Sequence, residues 1–176
     1  LVYVGDAGSN EAGDASKRRG VELSAYWAPL NWLILDADYA YAHARLDVSG
    51  SEDRIPNSIE DTFSFGLSVP ETAGWSGGLR LRHLGGGPLI EDNSARSDAT
   101  TVVNAQLGYR LWQRYTATLT VLNVFDSRDN DITYFYESCL ADEACGPGEA
   151  NAGGVSDFHF HPVEPRALRL SIAAEF

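Results

Sequence analysis

Apolar and polar side chains alternate along most of this chain with a period of two residues, which is typical of β-strands whose two faces meet different surroundings. The pattern predicts the end of one strand at 1–4 and seven further strands at 18–28, 32–46, 62–69, 75–85, 100–112, 115–126 and 165–176. Many of these exceed the roughly 5–6 residues usual in soluble proteins. They suit a membrane crossing, which needs roughly 9–11 residues.

The connections between these strands fall into two classes that alternate along the chain. The segments 29–31, 70–74 and 113–114 are short, whereas 5–17, 47–61, 86–99 and 127–164 are long and rich in Gly, Asp, Asn and Ser. Barrels of the outer membrane combine short periplasmic turns with long extracellular loops. The order therefore predicts an all-β chain that forms an antiparallel, up-and-down transmembrane β-barrel segment of about eight strands.

The two faces of the predicted strands differ in polarity, except in 115–126, where Leu122 and Val124 share the parity of the lumen-facing threonines. Leu33, Leu35 and Ala37 share one parity, and Asp36 and Asp38 share the other. Reversing the register would turn the charges of all strands toward lipid, where one Arg costs roughly 2–4 kcal/mol at the midplane. The sum over the strands would exceed a typical stability of about 5–15 kcal/mol. We therefore expect the apolar parity to face lipid and the polar parity to face the lumen.

Aromatic side chains supply an independent indication of a membrane. All four tryptophans flank the short turns, and one tyrosine joins them: Trp27, Trp32, Trp75, Trp112 and Tyr115. Amphipathic rings prefer the membrane–water interface. We expect these five residues to form the periplasmic aromatic girdle.

The final strand alternates up to the last residue, with Leu170, Ile172 and Phe176 on its apolar parity. This ending resembles the C-terminal signature of bacterial outer-membrane proteins, which the barrel-assembly machinery reads.

Several short motifs, in order along the chain, resemble TonB-dependent outer-membrane receptors. They are Arg19-Gly20-Val21-Glu22-Leu23, Ile55-Pro56-Asn57 followed by Glu60, Leu122-Asn123-Val124-Phe125-Asp126, and Pro165-Arg166 before a Leu-Arg-Leu strand. The third is similar to the family's recurrent N-L-F-D stretch, with Val124 in place of Leu.

The resemblance implies the C-terminal portion of a 22-stranded barrel, with residues 1–176 supplying about eight strands and neither the plug domain nor the TonB box. It also implies a Gram-negative outer membrane, extracellular long loops, and partners that include the lipid bilayer, the TonB complex acting through the plug, and a small-molecule ligand. The implied function is energy-coupled uptake of a siderophore, metal complex or vitamin-like molecule.

Composition excludes some functions. The net charge of −12 and pI of about 4.6 argue against a nucleic-acid partner. No apolar run reaches the 18 residues of a transmembrane helix. Cys139 and Cys145 lie six residues apart without further ligands beside them, which favours a local disulfide over a metal site.

No catalytic or nucleotide-binding motif is present, so neither an enzyme nor a cofactor is expected. His159 and His161 alternate in a predicted loop and could hold a metal, although hydrogen-bonded loop histidines are the simpler interpretation. Asp126, Asp129 and Asp131 have calcium-like spacing but lack the Gly and the terminal Glu of such loops, and solvated acids are favoured.

Ligand contacts, by the resemblance, would come from lumen walls and long loops. The candidates are Arg80, Arg82, Tyr134, Tyr136, His159 and His161. For the arginines the alternative is ion pairing with lumen acids, and for the aromatic residues it is loop packing. Two alternative functions remain at this point: a self-contained eight-stranded barrel with a structural or passive-pore role, and a soluble β-rich binding domain.

Overall fold

The computed structural model describes residues 2–4, 9–11, 13–141, 145 and 154–175, with backbone alone at 2–4 and 9–11. The described residues form eleven strands. In chain order these are β1 (Val2–Val4), β2 (Ser9–Glu11), β3 (Ser16–Leu30), β4 (Leu33–Leu46), β5 (Asp61–Thr72), β6 (Trp75–Leu84), β7 (Thr100–Leu111), β8 (Tyr115–Leu122), β9 (Asn130–Ser138), β10 (Val155–Pro162) and β11 (Ala167–Ala174). Nowhere in the described ranges is there a helix with the length and apolarity that a membrane crossing requires.

Seven strands form one antiparallel sheet in the order β11-β8-β7-β6-β5-β4-β3. Within this sheet each strand pairs with the strand before and after it in the chain, except that β8 pairs with β11. The strands β1 and β2 pair with each other, and β9 and β10 form a separate two-stranded hairpin. The sheet is open, and β3 and β11 are its outer strands in the described part of the chain. The predicted fold class, an antiparallel up-and-down barrel segment, is confirmed.

Two predicted connections contain strands that the sequence did not reveal. The segment 5–17 contains β2, and 127–164 contains β9 and β10, so the described count is eleven rather than about eight. Three aromatic residues in succession, Tyr134, Phe135 and Tyr136, place large side chains on both faces of β9 and remove the alternation that marks a strand. The predicted strand 115–126 was too long: β8 ends at Leu122 because Asn123 adopts a φ of 48°.

The short turns all lie at one end of the sheet, as the alternation of connections predicted. At β5–β6 the turn residues Ala73 and Gly74 have φ values of 52° and 86°. At β7–β8, Trp112 and Gln113 have φ values of 48° and 61°. Two consecutive residues with positive φ are the geometry whose twist matches a tight antiparallel hairpin.

Buried apolar side chains lie mainly in the long connections rather than beneath the sheet. Ile55, Pro88, Leu89 and Ala95 are buried. The backbone N–H of Asn57 donates to the carbonyl of Pro88 at 2.8 Å and joins the connections 47–60 and 85–99. These two connections thus form a small packed unit at the end of the sheet opposite the short turns.

Candidate functional site

The sheet has one mainly apolar face and one mainly polar face, with Val102 and Leu122 as apolar residues on the polar side. Strand register places Leu23 beside Tyr39, and at the other end of the sheet Leu107 beside Leu119 and Leu119 beside Leu170. Leu107 is 50% exposed and Leu170 is 70% exposed. Such a large exposed apolar surface suits the lipid-facing band that the alternation predicts.

The five residues of the predicted aromatic girdle lie next to the short turns. Trp75 packs against Tyr109 with ring centroids 4.5 Å apart, and Trp112 meets Tyr115 edge-on at 6.4 Å. All five are exposed: Trp27, Trp32, Trp75, Trp112 and Tyr115. The arrangement suits an interfacial belt at this end of the strands, and its assignment to the periplasmic side stays a prediction.

Two residues of the predicted C-terminal assembly signature lie on the apolar face of β11. Leu170 pairs with Leu119, and Ile172 pairs with Ala117 of β8. Both side chains are about 70% exposed. Phe176 lies outside the described residues, and recognition by the assembly machinery stays a prediction.

Four of the ligand-contact candidates share one face of the β9–β10 hairpin. His159 lies opposite Tyr134 in the register, and Tyr136 and His161 follow at alternate positions. The rings of Tyr136 and His159 stack at 3.9 Å with an interplanar angle of 11°. The Nε2 atom of His159 is buried without a hydrogen-bond partner. Ring stacking with Tyr136 therefore positions this imidazole.

The other two candidates, Arg80 and Arg82, lie two residues apart on the polar face of β6. Arg80 pairs with Asp36 of β4, with Nη2 donating to Oδ1 at 3.2 Å. Arg82 pairs with Asp131 of β9 at 3.1 Å. Both side chains remain at least half exposed. Both arginines therefore form ion pairs, as the alternative to ligand contact predicted. Arg82 in addition joins the sheet to the hairpin.

A cleft of about 330 Å³ opens where the hairpin meets the polar face. Its polar lining includes Arg82, Asn104, Asp131, His161 and Glu164. Hydrogen-bond donors and acceptors of both charges thus converge on one concavity. This is the region where the structure brings one sheet candidate, Arg82, together with one hairpin candidate, His161.

Within the described residues, no three His, Cys, Asp or Glu side chains are grouped as a metal site would require. The three loop aspartates have separate partners. Asp126 accepts the N–H of Arg166 at 3.0 Å, Asp129 accepts the N–H of Thr101 at 2.9 Å, and Asp131 pairs with Arg82. A hydrogen bond from Ser127 and the Thr101 amide lower the pKa of Asp129.

The two cysteines are joined within the same connection. The Cα atoms of Cys139 and Cys145 are 6.1 Å apart, and their Sγ atoms are bonded. The bridge follows directly after β9. It closes a small loop near the tip of the hairpin, a constraint that suits an oxidising compartment.

Asn123 has a structural role that the sequence did not reveal, although it lies in one of the motifs. It is only 2% exposed. Its Nδ2 donates to the carbonyls of Ser127 and Glu164, both at 2.9 Å, and its Oδ1 accepts the Ser127 N–H at 2.9 Å. Its own N–H donates to Asn104 of β7. One amide side chain thus draws together both ends of the connection that carries the hairpin.

A charged cluster stabilises the base of the connection between β4 and β5. Arg45 donates to Glu60 at 2.9 Å, and Arg54 and His43 lie 3.6 and 3.9 Å from the same carboxylate. The hydrogen bond from Arg45, followed by the charges of Arg45, Arg54 and His43, lowers the pKa of Glu60 against the opposing effect of desolvation. Glu60 is therefore held as a carboxylate.

A family model described as "TonB dependent receptor-like, beta-barrel" matches residues 2–124. A search of curated proteins finds no match. Among solved structures, the chain is similar to the ferric yersiniabactin uptake receptor FyuA from Yersinia pestis, with 18% identity and a TM-score of 0.71 over 92% of this chain and 24% of that one.

Two further structures share the fold. The siderophore receptor PiuA from Acinetobacter baumannii has 14% identity and a TM-score of 0.69 over 90% of this chain and 22% of that one. The closed form of the ferric-catecholate import receptor Fiu from E. coli K12 has 20% identity and a TM-score of 0.67 over 99% and 23%. The chain therefore spans about a quarter of the length of these proteins.

Proposed function

Because this chain belongs to the TonB-dependent receptor β-barrel family, we propose that it forms the C-terminal part of the barrel wall of a receptor for energy-coupled nutrient uptake. The family consists of outer-membrane receptors and transporters rather than enzymes. In this proposal the rest of the barrel and a plug domain complete the receptor. TonB acts on that plug, and the aromatic end of the sheet faces the periplasm.

The observation that carries the proposal is the two-faced open sheet with its long connections at one end. A continuous apolar face suits lipid, and a polar face suits a hydrated or plugged lumen. A self-contained barrel would require the two edges of this seven-stranded sheet to be joined, directly or through a further strand, whereas β3 and β11 are its outer strands in the described part of the chain. A soluble domain would not leave Leu107, Leu119 and Leu170 exposed side by side.

For the ligand we propose a metal chelate such as a ferric siderophore, in line with the names of the similar receptors. Tyr136 and His159 offer a flat aromatic surface, and Arg82 and His161 offer polar contacts at the cleft. Aromatic side chains supply large contact area at low entropic cost. The hairpin would thus capture ligand at the outer entrance.

The test is uptake of radioactive iron, presented as a panel of chelates, by cells that produce the intact protein. We expect uptake of one chelate class that disappears when TonB or the membrane potential is removed. Tyr136→Ala with His159→Ala should weaken binding of that chelate by roughly tenfold, and Glu137→Ala on the opposite face of β9 should not. Uptake that persists without TonB would indicate a passive pore instead.

A further inference from the structure

Arg80 and Arg82 occupy equivalent places in the sheet but have different partners. In the register Arg80 lies beside Gly66 of β5, which lies beside Asp36 of β4. Arg82 likewise lies beside Ser64, which lies beside Asp38. Each arginine therefore faces an aspartate two strands away, about 10 Å along the hydrogen-bonding direction. Arg80 reaches its aspartate across β5, and Arg82 pairs with Asp131 of the hairpin instead.

The intervening residue of β5 explains this difference. A Cβ atom at Gly66 would lie 2.7 Å from Cζ and Nη2 of Arg80 and would also collide with the Asp36 carboxylate. The ion pair thus occupies the space that a side chain would need. At the second position Ser64 has that side chain, and its Oγ donates to Asp38 at 3.3 Å.

We propose that Ser64 is a positioning residue that directs Arg82 away from Asp38 and toward Asp131, and so fixes the β9–β10 hairpin against the polar face. Ser64 acts in two ways. Its Cβ obstructs the path across β5, and its hydroxyl supplies Asp38 with a hydrogen-bond partner. Only the consequence for ligand capture rests on the proposed function, because the choice of partner by Arg82 is a property of the fold.

The Arg82–Asp131 pair is well placed to determine the position of the hairpin. Further contacts between the sheet and this part of the chain lie at the hairpin's root, where Thr100 Oγ1 donates to the carbonyl of Asn130 and Asp129 accepts the Thr101 N–H. Asp131 follows immediately along β9. Losing its contact with Arg82 would remove an ion pair that joins β9 to β6 beyond the root, and would loosen the hairpin against the polar face.

Hydrogen exchange of the intact protein, extracted from the outer membrane into detergent, tests the proposal. In Ser64→Gly, Arg82 should pair with Asp38, and amide protection across β9 and β10 should fall about two- to fivefold, as expected for loss of a partly exposed ion pair. Ser64→Ala keeps the obstructing Cβ and loses only the hydroxyl, so it should retain most of the protection. Equal loss in both variants, or loss in neither, would overturn the proposal.

A second variant separates the change of partner from any loosening of β5 by glycine. Adding Asp38→Asn to Ser64→Gly removes the competing carboxylate and should restore hairpin protection to the original level. Asp131→Asn should lower protection as much as Ser64→Gly does. Failure of restoration would refute the role of Asp38. These hydrogen-exchange measurements need no ligand. Failure of chelate uptake would therefore contradict the proposed function and leave the role of Ser64 unaffected.

Discussion

Arg80 and Asp36 form a two-pronged ion pair over the backbone of Gly66, although a whole strand separates them. Bidentate guanidinium–carboxylate pairs combine two charge-assisted hydrogen bonds with a fixed geometry. Because the pair is partly exposed, its own contribution is at most about 1 kcal/mol. The pair also has a steric consequence: it fills the space above position 66, so only glycine fits there.

Gly66→Ala should therefore destabilise the barrel by about 1–2 kcal/mol, because the methyl group breaks the ion pair and must displace both partners. The measurement is urea-induced unfolding in lipid vesicles, followed by tryptophan fluorescence. Gly78→Ala is the matched control on the same face, since a Cβ there would meet only the Leu67 carbonyl, at 3.5 Å. Equal destabilisation by both substitutions would show that strand glycines matter here for another reason.

The polar face of β7 should tolerate an added charge, and the apolar face should not. Leu107→Arg places a guanidinium on the apolar face and should cost roughly 2–4 kcal/mol, with loss of folded barrel from the membrane fraction. Gln106→Arg lies on the polar face and should assemble normally. Leu170→Asp and Ser171→Asp provide the same comparison on β11. The heat-modifiable electrophoretic band of the folded barrel measures assembly, and similar yields would contradict the face assignment.

Asn123 should be essential for closing the connection that carries the hairpin. Asn123→Ala loses three side-chain hydrogen bonds and places alanine at a φ of 48°, which together cost about 2–4 kcal/mol. Glycine adopts a positive φ without strain, so Asn123→Gly measures the loss of the hydrogen bonds alone. We expect faster tryptic cleavage after Arg128 in both variants, and more so in alanine. Unchanged cleavage in the glycine variant would show that the hydrogen bonds do not hold the connection.

Acid should weaken the base of the β4–β5 connection through Glu60. Its pKa in the folded protein lies below the ordinary value of 4.5, so the unfolded state binds a proton first as the pH falls. The stabilisation is complete above about pH 4.5 and is lost as the pH falls through the folded pKa. Glu60→Gln should flatten this part of the stability profile, measured by unfolding between pH 3 and 7.

Glu52→Gln is the control for this acid dependence, because Glu52 lies exposed in the same connection and outside the Arg45 and Arg54 cluster. It should leave the profile unchanged. A profile that responds equally to both substitutions would indicate a general charge effect and not the specific contacts of Glu60.

The sequence by itself determined the strands of the main sheet, their order and the face that each side chain occupies. These follow from local physics: alternation has a period of two, a tight turn joins neighbours, and charges such as Arg80 and Arg82 cannot face lipid. The clustering of Trp27, Trp32, Trp75 and Trp112 at one end was visible for the same reason. The family followed from short motifs in the right order.

The tertiary structure decided what depends on residues far apart in the chain. Strand alternation could not show that Arg80 reaches over Gly66 while Arg82 is left for Asp131, because those contacts span 44 and 49 residues. Nor could it show the hairpin, since consecutive aromatic residues in β9 conceal its period. The sequence showed Asn123 as part of a motif. Only the structure shows that its side-chain amide binds the carbonyls of both Ser127 and Glu164.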